Sequence, residues 1–160
     1  MRLVALFAAA ATAVAAAPAA TLIVPGKQIG PARLGSTRSE LGPILQDTTC
    51  PIRALFQGDM AVQLYTNCGG AWATAGGAQV GMPLRWAVRE FGHPEARVPG
   101  ATYTWPGNRT AKAVWYLYQG VAFRAVVPGD EPEPAGVVTC ITVYTGSRPA
   151  LSESCGQELD

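Results

Sequence analysis

Residues 113–127 decide the fold, and they read Ala113-Val114-Trp115-Tyr116-Leu117-Tyr118-Gln119-Gly120-Val121-Ala122-Phe123-Arg124-Ala125-Val126-Val127. Both halves are apolar and rich in β-branched and aromatic residues, which is the composition of strands. Gln119-Gly120 lies between them, and a two-residue spacer that contains glycine is typical of a hairpin turn. The stretch therefore predicts two antiparallel strands joined by a tight turn.

Alternation along the first of these strands assigns its aromatic side chains to faces. Successive side chains of a strand point to opposite sides of the sheet. Val114, Tyr116 and Tyr118 are therefore expected on one face, and Trp115 and Leu117 on the other. Both faces carry aromatic residues, so the pattern leaves open which face packs on the rest of the molecule.

Shorter stretches of the same kind surround this hairpin. Strands are predicted over residues 54–56, 60–65, 101–105 and 137–144, with turns at 57–59 and 106–108 and a proline-rich loop over 128–136. The chain contains 18 Gly and 13 Pro among 160 residues. This content argues against a helical bundle and favours a fold rich in strands.

Two helix signals are present, and each follows an apolar residue and a glycine. In the first, Thr37 and Glu40 have the spacing of a capping box, and Gly42-Pro43 limits the helix to about two turns or kinks it. In the second, Pro83 suits the first helical turn, and an apolar stripe at helical spacing ends at Gly92.

The order of these elements is helix, two strands, helix, four strands. It predicts an α+β domain in which two short helices cover an antiparallel sheet of about six strands. The two helix signals also suggest two tandem units of helix plus strands, at about 27–76 and 77–145, followed by a tail. Residues 20–160 are expected to form one domain.

The first 19 residues have the features of an export signal. Arg2 provides a positive start, and an alanine-rich apolar stretch, too short to span a bilayer comfortably, runs to Ala17. Ala17-Pro18-Ala19 fits a small-x-small cleavage site, so the mature chain is expected to begin at Ala20. Without Arg2 the chain has 11 basic and 11 acidic residues, a balance that does not favour binding to nucleic acid or to an anionic membrane.

The four cysteines agree with an oxidising compartment such as the periplasm, the cell envelope or the medium. An even number allows a disulfide framework of three possible connectivities. We expect the nearest-neighbour pairs, Cys50 with Cys68 and Cys140 with Cys155, and the second pair would tether the C-terminal tail. No Cys-x-x-Cys motif is present, so a redox or metal site is not expected.

A family resemblance rests on the openings of the two units, Leu34-Gly35-Ser36-Thr37 with Leu41 and Val80-Gly81-Met82 with Phe91-Gly92. They resemble the BamE/SmpA-like outer-membrane assembly lipoproteins and the β-lactamase inhibitory proteins, which repeat a similar unit of helix and sheet. The resemblance implies a non-catalytic protein that acts by contacting another protein. Unlike the lipoproteins, this chain has no cysteine near the cleavage site, and no site residues are carried over.

Aromatic residues supply the candidate interaction surface. Tyr103 and Trp105 share a face of one predicted strand, and Tyr116 and Tyr118 share a face of the next. Tyrosine and tryptophan are frequent anchors of protein interfaces. The alternative is that these side chains simply belong to the core.

Three polar features have simpler structural explanations. His93 follows a helix end and has no local nucleophile or acid to work with. Asp130, Glu131 and Glu133 lack the spaced ligands and the glycine of a calcium loop. Asn108-Arg109-Thr110 matches a glycosylation sequon but lies in a predicted turn, where asparagine is common. The sequence predicts no catalytic, metal or cofactor site.

These observations favour an exported, disulfide-stabilised α+β domain that acts as a protein-binding, inhibitory or envelope-structural module without a cofactor. Two alternatives stay open. One is a small secreted hydrolase in which Glu90, Glu95 or the acids of 130–133 pair across a cleft. The other is a carrier with an apolar pocket between helices and sheet.

Overall fold

Residues 22–105, 109–129, 132 and 135–159 are described by a computed structural model, with the backbone alone at Trp105. The predicted export signal lies outside these residues. The elements are β1 (Ile23–Val24), β2 (Gln28–Ile29), β3 (Ala32–Arg33), α1 (Arg38–Leu45), β4 (Ile52–Gln57), β5 (Met60–Thr66), α2 (Arg85–Phe91), β6 (Ala96–Trp105), β7 (Arg109–Tyr118), β8 (Val121–Pro128), β9 (Val137–Tyr144) and a 3-10 helix (Gln157–Leu159).

The fold is α+β, as the sequence predicts. Six strands form one antiparallel sheet in the order β4-β5-β9-β8-β7-β6. The predicted 113–127 hairpin is β7 and β8, whose register pairs Tyr118 with Val121 across the turn. From α1 onward, the order helix, two strands, helix, four strands is confirmed.

Three local expectations differ from the structure. A small sheet of β1, β2 and β3 precedes α1, and its two-residue strands are too short to show an alternating pattern. The strand predicted over 101–105 extends back to Ala96. The second helix begins at Arg85 rather than around Pro83, because residues 81–84 are held by backbone hydrogen bonds to residues 136–138 beside the start of β9.

One face of the large sheet packs on the helices and the small sheet. Their buried contacts include Ile29 of β2, Leu41 of α1 and Ala87 of α2. The sheet contributes an apolar layer to the same cluster: Ile52, Ala54, Ala61, Leu64, Tyr116, Tyr118, Val121, Phe123, Ala125, Val138, Ile141 and Val143. The alternation prediction is therefore confirmed for Tyr116 and Tyr118, which share this face.

The C-terminal segment after β9, residues 149–159, covers the other face. We call it the tail. Trp115 and Leu117 lie on this face with Tyr65, and Cys155 of the tail belongs to the same buried cluster. The Tyr65 hydroxyl donates a hydrogen bond to the Ala150 carbonyl at 2.8 Å. The sheet is thus covered on both faces, by helices on one side and by an irregular segment on the other.

Both expected disulfides are confirmed. Cys50 is bonded to Cys68 and Cys140 to Cys155, across separations of 18 and 15 residues. The second bridge joins the tail to β9, as its position in the sequence suggested. In the described part of the chain, no helix has the length and apolar character needed to cross a membrane.

The turn of the central hairpin needs glycine for a specific reason. Gly120 has a φ of +74°, and a Cβ added there would lie 2.6 Å from the backbone nitrogen of Gly26. The Gly120 carbonyl accepts hydrogen bonds from Gly26 N–H at 2.8 Å and from Tyr144 N–H at 3.2 Å. The turn therefore joins the small sheet to the large one through backbone contacts that leave no room for a side chain.

The capping box of α1 is confirmed. The Thr37 hydroxyl accepts from the Glu40 N–H, and the Glu40 carboxylate accepts from the Thr37 N–H at 2.7 Å. These hydrogen bonds satisfy donors at the helix start that have no partner within the helix. The backbone N–H of Thr37, followed by its hydroxyl, holds the pKa of Glu40 below its ordinary value of 4.5.

We expect the Glu40→Gln variant to lose less stability in acid than the wild type. The depressed pKa means that Glu40 stabilises the fold above its unfolded pKa, and that this contribution is lost as the pH falls through the folded pKa. Glutamine keeps an acceptor at the same place but does not titrate. Thermal unfolding midpoints measured from neutral pH down to below pH 4 would compare the two proteins, and superimposable pH profiles would contradict the expectation.

Candidate functional site

The predicted aromatic surface is wrong for two of its four members. Tyr116 is 1% exposed and Tyr118 is 4% exposed, because their face of the sheet lies beneath the helices. The Phe91 ring packs against the Tyr118 ring at a centroid distance of 5.4 Å. Burial raises the pKa of Tyr118. These tyrosines belong to the core and are not available to a partner.

The other two members lie on the edge strand β6. The side chain of Trp105 is outside the described residues. Tyr103 is half-buried, and its hydroxyl accepts a short hydrogen bond from Arg124. Tyr103 therefore contacts a buried arginine.

Arg124 is a site residue that the sequence analysis did not identify. It is buried on β8, on the face that the tail covers. One Nη atom donates to the Thr139 hydroxyl at 3.0 Å, and the other donates to Tyr103 and, at 2.9 Å, to the Glu153 carboxylate of the tail. The signal was present in the sequence: Arg124 is the one charged residue among the apolar residues 121–127.

A second cluster lies on the outer side of α2 and consists of Arg85, Trp86 and Arg89, which we call the α2 patch. The guanidinium carbon of Arg89 lies 4.2 Å from the centre of the Trp86 ring. The three side chains line a surface depression of about 240 Å³. The spacing explains the arrangement, because positions one turn apart on a helix are neighbours on its surface.

Trp86 is fixed from its inner side as well. It is half-buried against the helix-side core, and its ring lies 3.7 Å from the position that a Cβ on Gly77 would take. The ring thus lies against the core, close to the chain at Gly77, and contacts the Arg89 guanidinium. This mixed arrangement presents an aromatic ring and two exposed cations on one small surface.

The charges of the α2 patch, on Arg85 and Arg89, have no ion-pair partner in the part of the chain that the structure describes. Glu90, the next residue along the helix, instead accepts a short hydrogen bond from the Thr74 hydroxyl and packs on Gly76. Within the described residues, Glu90 is therefore directed toward Thr74 and does not pair with the arginines of the patch.

Two residues of the hydrolase alternative, Glu90 and Glu95, lie within the described residues, and they have different surroundings. Glu90 is bound to Thr74, whereas Glu95 is exposed and lines a surface depression of about 340 Å³ with His93 and Tyr118. Asp130, Glu131 and Glu133 lie outside the described residues. Within the described part of the chain, no three His, Cys, Asp or Glu side chains are grouped in a way that could hold a metal ion.

The carrier alternative needs an apolar pocket between helices and sheet. The described depressions lie at the surface and are lined in part by charged or polar residues, such as Arg85 in one and Asp47 in another. Phe91, Tyr118 and Phe123 meet ring to ring where α2 crosses the sheet. At this place, the space between the layers is occupied by side chains.

Comparison with known proteins gives no match: no protein-family model, no curated protein and no solved structure matches this chain. The resemblance to BamE/SmpA-like proteins and to β-lactamase inhibitory proteins therefore stays a prediction from a few residues.

Proposed function

We propose that this chain is an exported, non-catalytic binding module, and that the α2 patch docks on an acidic surface of another protein. The observation that carries the proposal is the stacking of Arg89 on Trp86 beside Arg85, on the outer side of a helix. Tryptophan and arginine are the residue types most enriched among the side chains that dominate binding energy in protein interfaces.

The geometry of the patch supports binding because little conformational freedom would be lost. Trp86 is packed against the helix-side core and contacts the Arg89 guanidinium. Ordering a free side chain at an interface costs about 0.5–1.5 kcal/mol. A ring that is already fixed avoids most of that cost, so burial of its exposed part contributes more fully to affinity.

The charge of the patch indicates the kind of partner. Two guanidinium groups without an ion pair in the described chain favour a surface that carries carboxylates, which arginine binds through paired hydrogen bonds. Complementary charge also speeds association and makes it sensitive to salt. An acidic protein surface is therefore the occupant to which the proposal commits.

Export is the second part of the proposal. It rests on the sequence of residues 1–19 and on the two disulfides, which persist in oxidising compartments. The partner is then a protein of the envelope or the medium. The module either inhibits this protein or forms part of an envelope structure with it. This view agrees with the mode of action that the family resemblance implies.

Reversing the charge of the patch should weaken binding strongly. The oxidised chain 20–160 would be used to capture partners from envelope and medium fractions of its producer, and the affinity for the captured protein would then be measured. We expect the double variant Arg85→Glu, Arg89→Glu and the single variant Trp86→Ala each to weaken binding by at least about 30-fold, or about 2 kcal/mol.

A matched control is available in two exposed cations away from α2. Lys112 and Arg148 are both exposed, and the double variant Lys112→Glu, Arg148→Glu changes the net charge by the same amount. We expect it to bind within about threefold of the wild type. Equal losses in both double variants would show an effect of net charge alone, and undiminished binding by the α2 variants would refute the proposal.

A further inference from the structure

The tail face of the sheet contains a cluster of polar side chains around the buried Arg124, and one of them is a carboxylate. Arg124 extends from the middle strand β8, and Tyr103 reaches it from the edge strand β6. Trp115 lies directly opposite Arg124 in the pairing of β7 with β8. The carboxylate belongs to Glu153 of the tail and receives a hydrogen bond from Arg124 at 2.9 Å.

Two buried donors in this cluster have no hydrogen-bond partner among the described residues. They are Nε of Arg124 and the indole Nε1 of Trp115. A buried polar group without a partner is costly, so native proteins satisfy nearly all of them. Glu153 meets the guanidinium at one Nη only, although Nε and Nη together form the fork that binds a carboxylate through two parallel bonds.

Strand β6 leaves space for a carboxylate at this place. A Cβ added at Gly100 would lie 2.5 Å from Oε1 of Glu153 and 3.3 Å from its carboxyl carbon. Gly100 falls within the irregular stretch of β6 between Pro99 and Thr102. The position therefore admits a carboxylate only because it lacks a side chain.

Glu153 is held more loosely than the tail that carries it. Its side chain is 54% exposed, whereas that of Arg124 is 7% exposed. The tail itself is fixed by the Cys140–Cys155 bridge and by hydrogen bonds between Gln63 and Ala150. The Glu153 side chain can therefore rotate into solvent while the tail stays in place.

We propose that Arg124, Tyr103 and Gly100 form a carboxylate-binding site, and that Glu153 is its internal, displaceable occupant. The ligand is a carboxylate that uses the Nε and Nη donors of Arg124 together, with the Tyr103 hydroxyl beside it. A free small acid and the acidic side chain of a polypeptide share this chemistry. The site lies on the tail face and is separate from the α2 patch.

The test empties the site and supplies a carboxylate from solution. Acetate, acetamide and an acetylated, amidated Ala-Glu-Ala peptide would be titrated into the oxidised chain 20–160 as wild type and as Glu153→Ala. Binding would be followed by NMR, at the indole N–H of Trp115 and the Nε–H of Arg124. We expect Glu153→Ala to bind acetate at least about tenfold more tightly than the wild type, because in the wild type the tethered Glu153 carboxylate competes for the same donors.

Acetamide, which has the shape of acetate without its charge, should produce no saturable shift. Similar affinity for acetate and the peptide would assign the site to small acids, whereas clearly tighter peptide binding would assign it to polypeptide side chains. The proposal fails if Glu153→Ala is folded and shows no saturable shift with either carboxylate. It also fails if acetate binds the wild type as tightly as the variant.

A second variant separates binding from folding, because replacing Arg124 could unfold the chain. Gly100→Ala in the Glu153→Ala background places a methyl group where the carboxylate lies and should abolish acetate binding. The matched control is Gly42→Ala, since a Cβ at Gly42 meets nothing within 4 Å. Retained acetate binding in the folded Gly100→Ala protein would overturn the placement of the site.

Discussion

A chain in which Cys140 and Cys155 are both replaced by alanine should unfold about 3 kcal/mol more easily than the wild type. The bridge closes a loop with a separation of 15 residues, and the loop-entropy relation gives about 3 kcal/mol for a loop of this length. Denaturant unfolding, with the slope checked for constancy, measures this difference. The physical reason is that the unbridged tail gains freedom in the unfolded state.

The same variant should change the titration of one tyrosine. Burial under the tail, followed by the nearby Glu158 carboxylate, raises the pKa of Tyr65 to about 12. Without the bridge the tail is held by a few hydrogen bonds, among them the one from the Tyr65 hydroxyl to Ala150. As the tail detaches, the pKa of Tyr65 should move toward its ordinary value of 10.

The other disulfide provides the matched control. Removing Cys50 and Cys68 opens a loop of similar length, with a separation of 18 residues, and should cost a similar free energy. It should leave the pKa of Tyr65 high, because that bridge is not part of the tail. Phenolate absorbance, with Tyr65→Phe as the reference, reports the pKa. An unchanged Tyr65 titration in the Cys140, Cys155 variant would show that the tail docks without its bridge.

The sequence predicted the parts of the fold that local chemistry determines. The 113–127 hairpin followed from strand composition on either side of Gln119-Gly120, and α1 followed from the spacing of Thr37 and Glu40. In each case, the residues that produce the signal lie within a few positions of one another, in one helix or one hairpin. The disulfide pairs could be chosen from spacing because near cysteines close short loops.

The parts that the sequence did not reveal depend on contacts between distant segments. Alternation separated Tyr116 from Trp115 correctly, but both faces proved to be covered, and only the three-dimensional path of the tail determines this. The exposed surface predicted from Tyr116 and Tyr118 failed because the helices pack on their face of the sheet, a placement that no local pattern encodes. The α2 patch was not predicted because the apolar stripe of the helix identifies its buried face and carries no information about contacts on its exposed face.

For Arg124, the sequence contains a signal that predicts a buried polar cluster: a single charged residue in an apolar strand. A lone arginine among the apolar residues 121–127 must either lie at an edge or find partners inside. Here the partners are Tyr103 from β6, Thr139 from β9 and Glu153 from the tail. A buried arginine that meets its carboxylate at one nitrogen is a weak source of stability, and this weakness is what allows a second carboxylate to compete for it.

Replacing Trp115 with alanine should destabilise the fold more than replacing Trp86 with alanine. Trp115 is 1% exposed and lies in the cluster between the sheet and the tail. Replacement of a buried aromatic side chain by alanine costs about 3–5 kcal/mol through lost burial and the cavity left behind. Trp86 is only half-buried, so Trp86→Ala should cost about 1–2 kcal/mol, in proportion to the smaller apolar area it buries.

The two variants should also separate folding from binding. Trp115 lies on the tail face and the α2 patch lies on the helix side, so Trp115→Ala, studied in conditions where it is folded, should bind the acidic partner with nearly wild-type affinity. The affinity of Trp86→Ala for the partner should fall by at least about 30-fold, although this variant should be the more stable of the two. Urea unfolding midpoints and the affinity for the captured partner measure both properties on the same samples. If binding falls in step with stability in both proteins, the α2 patch contributes to the fold and not to recognition. If the order reverses between the two measurements, Trp86 contributes to recognition beyond its modest part in the fold.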